Sequence, residues 1–132
     1  MNMKKIFTLP MLCLGLLLSA FSQQNTIDGA ISALQSGSAT QLSQYFDSNV
    51  ELTLPEKSDS YSKAQAQVII KDFFANNGVK GFEVKHKSES DQRGAYFIGN
   101  LLSKSGKYRT TVYLRMKGDK QVVKEIRFQM IE

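Results

Sequence analysis

The chain has 132 residues, of which 42% are hydrophobic and 22% are charged, and its formal net charge is +5. This length is that of one ordinary domain with a single core. The excess of positive charge is small and spread along the chain, so it is weak support for a nucleic-acid or membrane partner, and we expect no nucleic-acid partner. The single cysteine, Cys13, excludes an internal disulfide and a cysteine-rich metal site.

The N-terminal segment has the pattern of a secretory signal peptide. Lys4 and Lys5 form a basic region, and an apolar run follows from residue 6 to residue 18. Ala20 and Ser22 place small residues at the two positions that a signal peptidase reads. The apolar run is too short to span a bilayer stably. We therefore expect cleavage directly after Ser22.

This cleavage site divides the chain into a signal peptide at 1–22 and one domain at 23–132. The protein is then expected to be exported, either to the periplasm or to the medium. Cys13 and two lysines leave with the signal peptide, which lowers the formal net charge from +5 to +3. No later segment is apolar over the length that a membrane-spanning helix requires, so we expect no transmembrane segment in the mature chain.

Two short helices are predicted at the start of the domain. Asn25 or Thr26 can cap the first, whose apolar residues recur at helical spacing. The dipeptide Ser36-Gly37 ends it. Ser38 and Gln41 then form a capping-box pattern, in which each side chain can bond the other's free backbone N–H, and this pattern opens the second helix.

The longest predicted helix follows a turn predicted at Asp47-Ser48-Asn49, a short strand at 50–54 and a polar loop at 56–60. Ser62 and Gln65 form a second capping-box pattern at its start, and the run Asn76-Asn77-Gly78 is typical of a left-handed C-cap. The apolar residues of this helix form one wide stripe, which other elements must cover. They are Ala66, Ile69, Ile70, Phe73 and Phe74.

Alternating apolar and polar residues predict four strands after this helix. The strands cover 82–89, 95–102, 108–117 and 122–131 and are joined by turns at 90–94, 103–107 and 118–119. Gly99, inside the second of them, is a candidate for a bulge or a bend. Helices followed by an antiparallel meander indicate an α+β fold, in which the N-terminal helices pack on a curved antiparallel sheet.

The element order resembles the nuclear transport factor 2-like cone fold, which is also described as cystatin-like. Three groups of motifs carry a closer resemblance to a family of small exported bacterial proteins, domain of unknown function 4783. They are 30–46, then Val50 to Pro55 with Tyr61 to Ala66 and Asp72 to Phe74, and then Tyr96 to Leu101 with Gly106 to Arg109 and Ile126 to Phe128. These motifs are structural, so the resemblance implies a fold and no particular activity.

The resemblance also suggests a comparison with cone-fold enzymes such as ketosteroid isomerases and scytalone dehydratases, which place an acid–base pair inside the cone. His86 is the only histidine, and it alternates in phase with the apolar positions of its strand. Strand alternation therefore points it toward the helices, where Asp72 is the acid most able to reach it. Tyr96 and Tyr113 can present hydroxyls on a cavity wall or on a sheet face. These four residues are the cavity candidates.

A basic surface patch is predicted from Arg109, Arg115 and Arg127, which recur at period two on neighbouring strands. The patch is either a solvated sheet face or a site for an anionic glycan or a peptide carboxylate. A third possibility is a homodimer built through the same sheet face, with Tyr113 at the interface.

The residue types that catalysis needs are scarce. The mature chain has no thiol, no Gly-x-Ser-x-Gly motif, no histidine pair and no phosphate-binding glycine loop. We therefore predict no catalytic residues, no metal and no cofactor. The leading hypothesis is an exported, non-catalytic binding or accessory domain with a small-molecule, protein or glycan ligand. The alternatives are a small-molecule isomerase or dehydratase and a homodimerising module.

Overall fold

The computed structural model describes residues 25–89 and 94–131. The helices are α1 (Thr26–Ser36), α2 (Ala39–Ser43) and α3 (Lys63–Asn77), and the strands are β1 (Phe46–Thr53), β2 (Ser58–Ser62), β3 (Val79–Ser88), β4 (Ala95–Ser103), β5 (Gly106–Lys117) and β6 (Lys120–Met130). The predicted signal peptide at 1–22 and most of the predicted turn at 90–94 lie outside the described residues. Across the two described ranges, no helix combines the length and the apolar character that a bilayer crossing requires.

The six strands form one curved sheet in the order β2-β1-β6-β5-β4-β3, with the helices packed on its inner face. This arrangement confirms the predicted α+β cone. The sheet is mixed rather than purely antiparallel as we predicted, because β1 pairs with β6 in parallel. A helix and the whole meander lie between these two strands in the chain, and a connection of that length allows β6 to run alongside β1 in the same direction.

The predicted helix signals are confirmed, except that the capping box predicted at the start of α2 is only half formed. There the serine side chain accepts from the glutamine N–H, and the reciprocal bond between these two described residues is missing. The side chain of Asn25 caps α1, and Gly37 ends it in a left-handed conformation. Ser62 and Gln65 form a complete capping box at the start of α3, and Gly78 is its left-handed C-cap. Both ends of α3 are therefore fixed by local chemistry, which sets where its apolar stripe meets the sheet.

Two segments before α3 differ from the prediction. Asp47-Ser48-Asn49, which we predicted as a turn, belongs to β1. The predicted loop at 56–60 contains most of β2, an edge strand whose side chains are exposed or half-buried. An edge strand with little burial on either face has no apolar alternation to reveal it.

The space between α3 and the inner face is filled by apolar side chains. Ile70 and Phe97 are fully buried, and the ring of Phe128 lies 4.9 Å from that of Phe73 and 6.1 Å from that of Phe74. Apolar side chains therefore occupy the centre of the cone.

A register shift in β3 changes which side chains face the core. Val84 pairs with Gly99 and His86 pairs with Ile98, so Lys85 is an extra residue without a partner on β4. Such a β-bulge reverses the alternation of the strand from that point onward. The bulge lies directly opposite Gly99, the glycine that we predicted at a bulge or a bend.

Candidate functional site

His86 lies on the outer face of the sheet, opposite to the face that simple alternation predicts. The bulge in β3 reverses its orientation, and its side chain is exposed beside Ile98 of β4. The imidazole ring lies 5.7 Å from the ring of Tyr96. The filled cone and the histidine are thus on opposite sides of the sheet.

The contact between His86 and Tyr96 continues across two further strands. The rings of Tyr96 and Tyr113 are 6.3 Å apart, and the guanidinium carbon of Arg127 lies 5.5 Å from the centre of the Tyr113 ring. The Arg127 guanidinium also donates a hydrogen bond of 2.6 Å to Glu125. We call the line of His86, Tyr96, Tyr113 and Arg127 the outer ladder. Three of the four cavity candidates are therefore brought together, but outside the cone.

The fourth cavity candidate, Asp72, is exposed on α3. Because α3 packs on the inner face and His86 projects from the outer face, the sheet lies between the two side chains. The predicted acid–base pair of His86 and Asp72 is not formed.

The predicted basic patch is largely neutralised by acidic partners. Arg115 and Lys117 form ion pairs of 2.7 Å and 2.8 Å with Asp47, whose side chain is only 8% exposed. The hydrogen bond from Lys117, together with those from Ser48 and Arg115, outweighs the effect of burial and lowers the pKa of Asp47 to about 2. Arg127 forms an ion pair with Glu125. Of the three arginines of the predicted patch, Arg109 alone has no ion pair with another described residue.

An open cleft of about 490 Å³ lies at the end of the cone where α3 stops. We call it the mouth cleft, and its lining includes Leu54, Glu56, Lys57, Phe73, Asn77 and Tyr108. Its volume is within the range of small-molecule sites. No local sequence pattern indicates this cleft, because its residues come from a turn, a helix end and two strands that only the fold brings together.

A hydrogen-bond network around Asn77 holds the inner wall of the mouth cleft. The Asn77 Oδ1 atom accepts from the hydroxyls of Tyr108 at 2.7 Å and Ser105 at 2.6 Å, and its Nδ2 donates to the Phe73 carbonyl at 2.8 Å. Tyr108 is 4% exposed, so its hydroxyl is a buried polar group with a satisfied donor. The network fixes the end of α3 to the start of β5.

Metal chemistry finds no support in the described part of the chain. No group of three or more histidine, cysteine, aspartate or glutamate side chains is close enough there to hold an ion. The ligand sets that zinc or calcium prefer need such a group.

The sequence profile of a family described as Domain of unknown function (DUF4783) matches residues 27–129. A crystal structure of a DUF4783 family protein from Bacteroides ovatus is 30% identical with a TM-score of 0.75, and the match covers 79% of this chain and 94% of that one. A second, from Bacteroides uniformis, is 28% identical with a TM-score of 0.76 over 80% of this chain and 96% of that one.

A more distant structure, an NTF2-like protein of unknown function from Cytophaga hutchinsonii, is 7% identical with a TM-score of 0.57. That match covers 80% of this chain and 87% of the other, and at this identity it supports the fold alone. The comparison with curated proteins finds no match.

Proposed function

This chain belongs to the family described as Domain of unknown function (DUF4783), and from that premise we propose that it is an exported, non-catalytic binding or accessory domain. The family and the nuclear transport factor 2-like fold are those that the sequence resemblance predicted. Neither names a ligand, so the proposal rests on the chain's own residues. The basic region and apolar run within 1–22 support export.

The observation that supports a non-catalytic role is the separation of His86 from Asp72 by the sheet. General acid–base catalysis needs its acid and its base within hydrogen-bond reach of one substrate. A base on the outer face and an acid on the helix side cannot meet that condition. The filled cone removes the enclosed, dry site that an isomerase or a dehydratase uses to strengthen its charges.

We expect that His86 abstracts no proton from a carbon acid. The measurement is the exchange of the α-hydrogens of cyclohexanone in D2O, followed by NMR with wild-type protein, His86→Ala and a protein-free buffer blank. All three should exchange at the same rate. Exchange that the wild type accelerates and that His86→Ala loses, with the fold intact by far-ultraviolet circular dichroism, would establish the enzyme alternative.

A second candidate function, homodimerisation, is favoured by the outer ladder. No element of the described chain covers this face, and Ile98 and Tyr113 lie half-buried on it. Its charges are mixed, since the ion pair of Arg127 with Glu125 stands beside the tyrosines. A two-fold axis through this centre would place each arginine near the partner's glutamate, so a second copy is complementary to the face.

We expect light scattering across a dilution series to detect a dimer that Ile98→Glu converts to a monomer. A glutamate buried at the centre of the interface would lose the hydration of its charge, which opposes association. Val68→Glu is the matched control, because Val68 is 58% exposed on α3, away from the outer face. A wild-type monomer at the highest concentration, or equal loss of dimer in both variants, rules out this interface.

A further inference from the structure

We propose that the mouth cleft is a binding site for a neutral sugar ring, a pyranose. The inference rests on the proposed binding role and deepens it by naming a ligand class and a site. It is independent of the outer ladder, which lies on the other face of the sheet.

The apolar wall of the mouth cleft is an aromatic ring that is fixed in place. Phe73 lines the cleft and is half-buried. Its ring packs 5.1 Å from that of Tyr108, edge to face, and 4.9 Å from that of Phe128. These contacts hold the ring on its core side, and the exposed part of the side chain lines the cleft. Such a surface suits the C–H face of a pyranose.

The polar groups of the cleft include both donors and acceptors. The Asn77 amide uses its oxygen and one N–H internally, and its second N–H has no acceptor among the described residues. The Tyr108 hydroxyl donates to Asn77, and its oxygen keeps its capacity to accept. Asn76, also in the lining, has an exposed amide. Hydroxyl groups both donate and accept, so they match this mixture better than a carboxylate or an ammonium does.

The charges at the rim favour a neutral ligand. Glu56 and Lys57 follow each other in the turn between β1 and β2 and cancel in formal charge. The Lys57 ammonium lies 5.9 Å from the centre of the Tyr61 ring, which holds it beside that residue. The cleft has no arginine fork for an anionic group in its lining. The rim therefore carries no net formal charge that would attract an anion or a cation to the cleft.

The shape of the cleft is set by rigid parts. The turn from Leu54 to Lys57 is closed by backbone hydrogen bonds in both directions, at 2.8 Å and 3.3 Å. The opposite wall is the end of α3, which the Asn77 network ties to β5. A preformed site loses little conformational entropy when it binds, which a weakly binding single sugar requires.

The test is a ¹⁵N-edited NMR titration of the protein with methyl β-glucopyranoside and methyl α-mannopyranoside. Indole and glucuronate serve as an apolar and an anionic comparison. We expect at least one glycoside to shift the amides of Lys57, Asn76 and Asn77 saturably, with a Kd of about 1 mM. Indole and glucuronate should bind about tenfold more weakly or not at all.

Two variants locate the site. Phe73→Leu should weaken glycoside binding about tenfold through loss of the aromatic surface. Asn76→Ala, at an exposed position where folding is not at risk, should weaken it several-fold. Asn49→Ala on β1, also exposed and outside the cleft, is the control and should bind as the wild type does.

Absence of saturable shifts with both glycosides would overturn the proposal, as would tighter binding of indole than of either glycoside. Wild-type affinity in a folded Asn76→Ala together with a folded Phe73→Leu would overturn it as well. These failures are distinguishable from failure of the non-catalytic role, because the deuterium exchange assay on His86 does not involve the mouth cleft.

Discussion

Replacing Phe128 by alanine should lower the free energy of unfolding by about 3 to 5 kcal/mol. Phe128 is fully buried on β6, and its ring contacts those of Phe73 and Phe74 from α3. The substitution leaves a cavity where the helix meets the sheet, and rigid neighbours on both sides can collapse into it only in part. A loss of this size is a large fraction of the free energy of unfolding of a typical domain, which is about 5 to 15 kcal/mol.

Guanidinium unfolding followed by far-ultraviolet circular dichroism measures this loss, since the chain has no tryptophan to report by fluorescence. Met130→Ala is the control on the same strand, and its side chain is 50% exposed. It should change the free energy of unfolding by less than about 0.5 kcal/mol. Equal effects in the two variants would mean that Phe128 does not join α3 to the sheet.

The second large effect is expected from Gly99→Ala, which should destabilise the fold by about 3 kcal/mol. A Cβ atom at Gly99 would overlap the Glu83 carbonyl oxygen and the ring of Phe82. The carbonyl belongs to the backbone beside the bulge in β3 and cannot rotate away. The ring of Phe82 also packs 6.0 Å from that of Phe97, so moving it disturbs the core.

Gly81→Ala provides the matched control on the neighbouring strand. A Cβ atom there meets only the Leu102 side chain, at an ordinary distance of 3.9 Å. The added methyl should therefore be neutral or stabilising, by up to about 1 kcal/mol through a less flexible unfolded chain. The same unfolding measurement applies to both variants. A stable Gly99→Ala would show that the bulge tolerates a side chain at this point.

Helix ends and the strands of the meander were predictable because their signals are local. Ser62 with Gln65 fixes the start of α3, and Gly78 its end, within one turn of chain. Strands β5 and β6 were predictable from the partial alternation of their consecutive residues. The alternation is interrupted on β6, where Val122 and Val123 are both buried because the pairing with β5 shifts register.

The missed features depend on partners far along the chain or on single irregular residues. The Asp47 turn prediction failed because its carboxylate is stabilised by Arg115 and Lys117, which no local pattern connects to it. The orientation of His86 depends on one extra residue, Lys85, in the bulge of β3. A prediction from strict alternation of side chains cannot include such a bulge. The mouth cleft was missed for the same reason, since Phe73 and Tyr108 meet only in the folded chain.

The position of β6 has a consequence for when the chain can fold. This strand is the last that the structure describes, yet it lies between β1 and β5, and Leu52 pairs with Ile126. Until β6 is available, β1 and β2 are separated from β3, β4 and β5. Both β1 and β5 then lack the strand that pairs with them in the folded sheet. Pairing over such sequence separation gives a high contact order and slow folding. If the chain is exported as we propose, this delay would keep it unfolded until β6 has crossed the membrane.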